Sequence, residues 1–159
     1  MRETFGRTGP LKQQFVGDAV RPLYQKRLKQ IEQIIHRQHI VTLPQREVVI
    51  RMATAAETAQ EPAPHVDAPR LVGRTGQYGE FVLPLMIKEN MGKPTQKDDD
   101  SFDAAAWILT FHETGPGHEV QFASTVENGT SIARSVFAFN SANVEGWALY
   151  SEAEMQPYE

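Results

Sequence analysis

Two histidines stand six residues apart in the run Phe111-His-Glu-Thr-Gly-Pro-Gly-His118-Glu, with Glu113 directly after the first. A zinc peptidase of the common kind sets its histidines four apart on a helix. Both imidazoles then meet one metal, and a glutamate next to the first lies beside the activated water. Six residues of undistorted helix turn through about 600°, which leaves the two rings roughly 120° out of register. A regular helix therefore cannot bring His112 and His118 together. Between them, however, sit Gly115, Pro116 and Gly117. Proline removes a backbone donor and clashes with the carbonyl four residues back, that of His112. The flanking glycines admit backbone angles that other residues avoid. A helix that bulges or restarts here absorbs two extra residues and lets His118 swing back toward His112. The same residues also spell a helix end, a proline turn and a helix start with no metal at all, and on this segment alone both readings stand.

Glu145 lies 27 residues beyond His118, in Val144-Glu-Gly-Trp-Ala-Leu-Tyr-Ser-Glu152. Glu145 and Glu152 are seven apart, hence on one helical face two turns from each other. A carboxylate entering a core beside Trp147 and Leu149 is costly unless it is paired or binds a metal. Two histidines, a glutamate and one open position form a catalytic zinc set. The plainer alternatives are that Glu145 is an ordinary first-turn acid and Glu152 a solvated one.

Together, His112-Glu-Thr-Gly-Pro-Gly-His-Glu-Val-Gln121 and Glu145-Gly-Trp-Ala-Leu-Tyr-Ser-Glu152 resemble the bacterial domain-of-unknown-function family 885. The likeness extends through Gly79-Glu-Phe-Val-Leu-Pro84, through residues 98–107 and through Phe137-Ala-Phe-Asn140. Members are regarded as zincin-like metallopeptidases of the glutamate-ligand type. The resemblance implies one zinc ion held by His112, His118 and Glu145, with Glu113 as general base. It implies that Glu152 and Tyr150 stand behind the ligands or on the substrate side. It also implies that the strand around Glu80, Phe81 and Val82 is an edge strand to which a peptide substrate adds by backbone pairing. Family members are several hundred residues long and continue past this helix. The resemblance thus implies a partial zincin-like catalytic region, with N- and C-terminal parts of the family fold missing and the oxyanion-stabilising residue outside it. The implied activity is zinc-dependent peptide hydrolysis. The alternatives are a truncated helical module that holds metal or a partner without turnover, and histidines that merely pack.

The elements that must position these groups follow from periodicity. Leu11, Phe15, Ala19, Leu23, Ile31 and Ile35 recur at multiples of four, which predicts one long amphipathic helix over 10–38. Its remaining face is basic and reads as solvated. Residues 47–52 and 79–85 read as short strands, and 53–78 reads as linker from its Ala, Thr, Pro, Glu and Gly content. His65 falls in that linker as an exposed loop histidine. His36 and His39 have the spacing of a metal pair but lack a third ligand. The acids of Asp98–Ser101 serve as a helix N-cap more economically than as a calcium site. Helices are expected over 102–113, 117–127, 131–139 and 143–154, with Asn128-Gly129 as a turn rather than a glycosylation site. The glycines of 73–79 follow no phosphate-loop spacing. The expected fold is mainly α with a short β element, in a single partial domain whose metal-site core is 79–159.

Composition bounds the rest. At 159 residues, 40% hydrophobic and 23% charged, the chain can bury a core. A net charge of -4 argues against nucleic acid or an anionic membrane as partner. The absence of cysteine excludes disulfides, thiolate zinc sites and a cysteine nucleophile. No run approaches the roughly 18 apolar residues of a membrane span. Met1–Gly9 has no apolar stretch, so no signal peptide is expected in this chain, and export of the parent protein rests on the resemblance alone. If the long helix packs against missing parts, its exposed stripe would promote self-association.

Overall fold

The first long element, α1 (Val20–Gln38), is amphipathic, and its apolar stripe buries Val20, Leu23, Tyr24, Ile31 and Ile35. Pro22 is tolerated because it lies in the first turn, where no intrahelical donor is lost. The helix ends at His39, whose left-handed backbone (φ 54°, ψ 39°) returns its N–H to the Ile35 carbonyl. This computed structural model describes residues 17–72, 76–77, 79–84, 86–87, 95–96, 99–137 and 140–158. The beginning of the expected long helix, much of the glycine-rich run and most of the polar loop before residue 99 lie outside them.

Three strands form one sheet in the order β1 (Val49–Met52), β3 (Glu80–Leu83), β2 (His65–Asp67). β1 runs parallel to β3, with Ile50 opposite Phe81, and β2 runs antiparallel to it, with Val66 opposite Phe81. A shorter antiparallel pair joins β4 (Met86–Ile87) to β5 (Thr95–Gln96). Between β1 and β2 lies α2 (Ala55–Gln60), closed at its start by a capping box. Thr54 accepts the Glu57 N–H, and the Glu57 carboxylate accepts the Thr54 N–H. The segment that composition reads as linker therefore carries a helix and a strand, and His65 is a half-buried strand residue. Arg51 explains why so polar a segment holds. Its guanidinium binds Glu80 at 2.5 Å, Glu57 at 2.9 Å and Asp67 at 3.0 Å, which ties all three strands to α2.

The helices that follow are α3 (Asp103–Glu113), α4 (His118–Asn128), α5 (Ile132–Phe137) and α6 (Ser141–Met155). Their bounds lie close to those expected from periodicity. The N-cap differs, because Asp99–Ser101 form a 3-10 turn and Phe102 caps α3 without a side-chain bond. The first half of α1 packs with Ile50, Phe81, Leu83 and Ala106. Its second half packs with Trp107, Phe111 and Met155. Tyr24 meets Phe81 edge to face at 5.5 Å and donates its hydroxyl to the Asp100 carbonyl at 2.7 Å. Among the described residues, the apolar stripe of α1 is thus covered within this chain. The fold is mostly helical with a small sheet. No helix among the described residues is long and apolar enough to cross a membrane.

Candidate metal centre

The helix restarts where Gly115-Pro116-Gly117 interrupt it. α3 stops at Glu113, residues 114–117 form a fully buried turn containing a cis Gly115–Pro116 peptide, and α4 opens on His118. The turn satisfies its own backbone: the Gly117 N–H reaches the Phe111 carbonyl at 3.0 Å. It is also pinned from α6, where Trp147 Nε1 donates to the Pro116 and Gly117 carbonyls at 2.9 and 3.0 Å. Two surplus residues are absorbed, and the imidazoles of His112 and His118 come to 4.8 Å between centroids with their planes at 87°.

Glu145 completes the group. Its Oε2 lies 3.8 Å from His112 Nε2 and 3.7 Å from His118 Nε2. The three donor atoms all lie within 4.8 Å of one another, the one such group among the described residues. Tetrahedral zinc with bonds of about 2.1 Å separates its ligands by roughly 3.4 Å, so a small contraction of this triangle fits the ion. Glu145 is 59% exposed and Leu149 58%, so the expectation that this acid enters the core is corrected. It faces an open side of the group.

Around the triangle, each neighbour has a defined part. Glu152 lies on the same face of α6 as Glu145, and its Oε1 meets His112 Nδ1 at 2.5 Å. That contact leaves Nε2, the atom facing Glu145, free to bind a cation. Phe122, one turn beyond His118, stacks on its ring at 6.2 Å. Burial, then the neighbouring His112, holds the His118 imidazole below its ordinary pKa, although Glu145 opposes this. His118 is therefore neutral, with a lone pair available, at neutral pH. Glu113 is only 5% exposed, and its Oε2 has no partner among the described residues. Burial, then the Glu145 charge, pushes its carboxyl up to about 8, while the Val66 N–H pulls the other way. A cation beside it favours the carboxylate instead. Glu119 is buried as well and is pushed up to about 7, first by burial and then by Glu127. It packs on Gly79, where a Cβ would come within 2.6 Å of its Cγ.

Two expected site features are placed elsewhere. β3 is the central strand, both its sides are occupied, and Phe81 and Val82 are fully buried while Glu80 is held by Arg51. It cannot add a peptide strand. The sheet edge beside Glu113 is β2, whose Val66 N–H bonds the Glu113 carboxylate. No pattern in the sequence marked Val66 for this. Tyr150 is 57% exposed, and its hydroxyl bonds Glu154, which raises its pKa. Five helical positions from Glu145, it is turned roughly 140° from the ligand face.

Glu152→Ala is expected to weaken metal affinity by about 10–100-fold, because His112 loses the group that orients it. Competition against a chromophoric chelator measures this, with circular dichroism reporting an intact fold. Unchanged affinity would remove Glu152 from that role.

Comparison with known proteins fits this architecture. No curated protein matches the chain. A solved structure described as a putative lipoprotein from Colwellia psychrerythraea is similar over 91% of this chain, with a TM-score of 0.68 at 19% identity. The match spans 23% of that protein's length. The profile of the family described as "Bacterial protein of unknown function (DUF885)" matches residues 6–158, nearly the whole chain, which therefore belongs to that family.

Proposed function

We propose that this chain carries the metal-holding core of a zinc-dependent peptide-bond hydrolase of zincin-like type. The observation that carries the reading is the convergence of His112, His118 and Glu145 on one point, beside a buried carboxyl on the residue following His112. Where it is bound, zinc would supply Lewis acidity toward a water and a scissile carbonyl. His112 and His118 would hold it through Nε2 and Glu145 through Oε2, leaving the fourth position to substrate. Glu113 then takes a proton from the attacking water and hands it to the leaving amine. Its burial suits both steps, because a carboxyl poised near neutral pH both accepts and releases a proton readily. Glu152 keeps the His112 ring in register through Nδ1. β2, rather than β3, offers the strand edge along which an extended peptide would lie, and its Val66 N–H fixes the Glu113 side chain.

Elemental analysis of the purified chain tests the ligand set. About one zinc per chain is expected, lost or sharply weakened in Glu145→Ala while the fold persists. A folded wild-type chain without affinity for zinc would overturn the assignment. Hydrolysis is tested on a mixed peptide pool by the release of new amino groups, blocked by chelator and restored by zinc. Bound zinc without any such release, here and in the full-length protein, would establish a metal-holding module in place of a hydrolase.

A further inference from the structure

An open pocket of about 540 Å³ lies near the group formed by His112, His118 and Glu145. It lies between α4, α5 and the start of α6. Phe122, which stacks on His118, and Val144, which precedes Glu145, both line it. The pocket is thus one residue removed from His118 and Glu145. Leu71 and Gly129 apart, the rest of the lining is polar, and the amides of Gln121 and Asn143 bond each other there at 3.1 Å. Arg134 is the single charged residue of the lining, and its guanidinium makes no ion pair among the described residues. The pocket also receives the positive end of the 15-residue α6, whose first N–H groups are capped by Asn140. No carboxylate among the described residues lines it. A cavity with one unpaired cation, a helix N-terminus and neutral amides is complementary to an anion.

We infer that this pocket is the subsite that receives a carboxylate of the peptide substrate, with Arg134 as its counter-charge. The inference rests on the hydrolase reading above. The carboxylate has two sources, an acidic side chain or the free C-terminus of the peptide, and both present the same group to a guanidinium. Arg134 sits on the short α5, exposed, so replacing it removes a charge without opening the core.

The test uses an N-acetylated four-residue peptide in four versions, with glutamate or glutamine at the third place and a carboxylate or a carboxamide at the end. Calorimetry measures binding to zinc-loaded Glu113→Gln, so that turnover does not interfere. A carboxylate version is expected to bind about 10-fold more tightly than its uncharged counterpart. Which version does so identifies the source. Arg134→Gln in the same background should abolish the difference, and Arg134→Lys should restore part of it. Equal affinity for all four versions, or a difference that survives Arg134→Gln, overturns the subsite and leaves the hydrolase reading intact. If zinc is held and no version binds, the subsite is overturned, whereas the hydrolase reading stands or falls separately on the release of amino groups from the mixed peptide pool.

Discussion

Alanine at position 117 is expected to abolish zinc binding and to destabilise the chain by about 4 kcal/mol or more, in the range reached only by severe backbone or core damage. A Cβ on Gly117 would lie 1.9 Å from the His112 carbonyl oxygen and 2.5 Å from that of Phe111. Both are main-chain atoms at the end of α3, so neither can rotate aside. The turn would have to open, which breaks the Gly117–Phe111 hydrogen bond and the Trp147 contacts that aim His118 at His112. Gly115, in the same turn, provides the contrast. Its Cβ would meet only side-chain atoms, of Leu43, Val120 and Ile35, at 3.3 to 3.6 Å. Gly115→Ala should therefore keep zinc and cost about 1–3 kcal/mol, as an added methyl accommodated by side-chain movement does. Chemical denaturation and zinc content of the two variants check the pair of expectations. Equal behaviour of the two would show that close approach at position 117 is not what assembles the site.

Glu113→Gln is expected to lower turnover by about 10²–10⁴-fold, the usual contribution of a positioned acid–base group, while zinc is retained. Undiminished hydrolysis would take Glu113 out of the proton-transfer role. The same variant has an effect on the metal-free chain that does not depend on catalysis. In the folded chain the Glu113 carboxyl is pushed up to about 8 from an ordinary 4.5, chiefly by burial. The folded state consequently holds a proton that the unfolded state releases. Its stabilising contribution is complete below pH 4.5 and is lost as pH rises toward 8. Glutamine keeps an acceptor for the Val66 N–H and carries no charge, so the metal-free variant should exceed the metal-free wild type at pH 8. The gain is on the order of 3–5 kcal/mol, shrinking toward zero near pH 4.5. Glu119 titrates in the same direction but is present in both proteins, so it cancels from the difference. Urea denaturation in chelator at the two pH values reads this directly. A variant less stable than wild type at pH 8 would show that Glu113 is not held there against its charge.

Much of the helical framework was legible because each helix is written as local periodicity. The stripe of α1 follows from which residues recur along it, and the extents of α3 and α4 follow from the breakers Gly115-Pro116-Gly117 and Asn128-Gly129 that bound them. The helix at 55–60 was not read from the sequence, although Thr54-Ala-Ala-Glu57 is a capping-box spacing that marks it. It was hidden by the alanine- and proline-rich composition around it. The role of β3 was not legible. Gly79–Pro84 reads equally as an edge or a centre, and only the pairing of a three-residue β2 on its far side decides.

Taken by itself, the sequence determined which side chains could hold a cation, the incompatibility of a six-residue histidine spacing with regular helix, and the glycine–proline turn through which that spacing can be absorbed. These are properties of consecutive residues, governed by backbone sterics over one or two turns. Tertiary structure decided that the turn closes, that Glu145 rather than a nearer acid meets the histidines, and that Glu152 binds His112 from 40 residues away. It also decided that Val66, on a strand with no motif of its own, reaches Glu113. Those contacts join positions far apart in the chain. Their loop-closure cost is met by packing of α1, α3 and α6 around Phe111, Trp107 and Met155, which no short window of sequence contains.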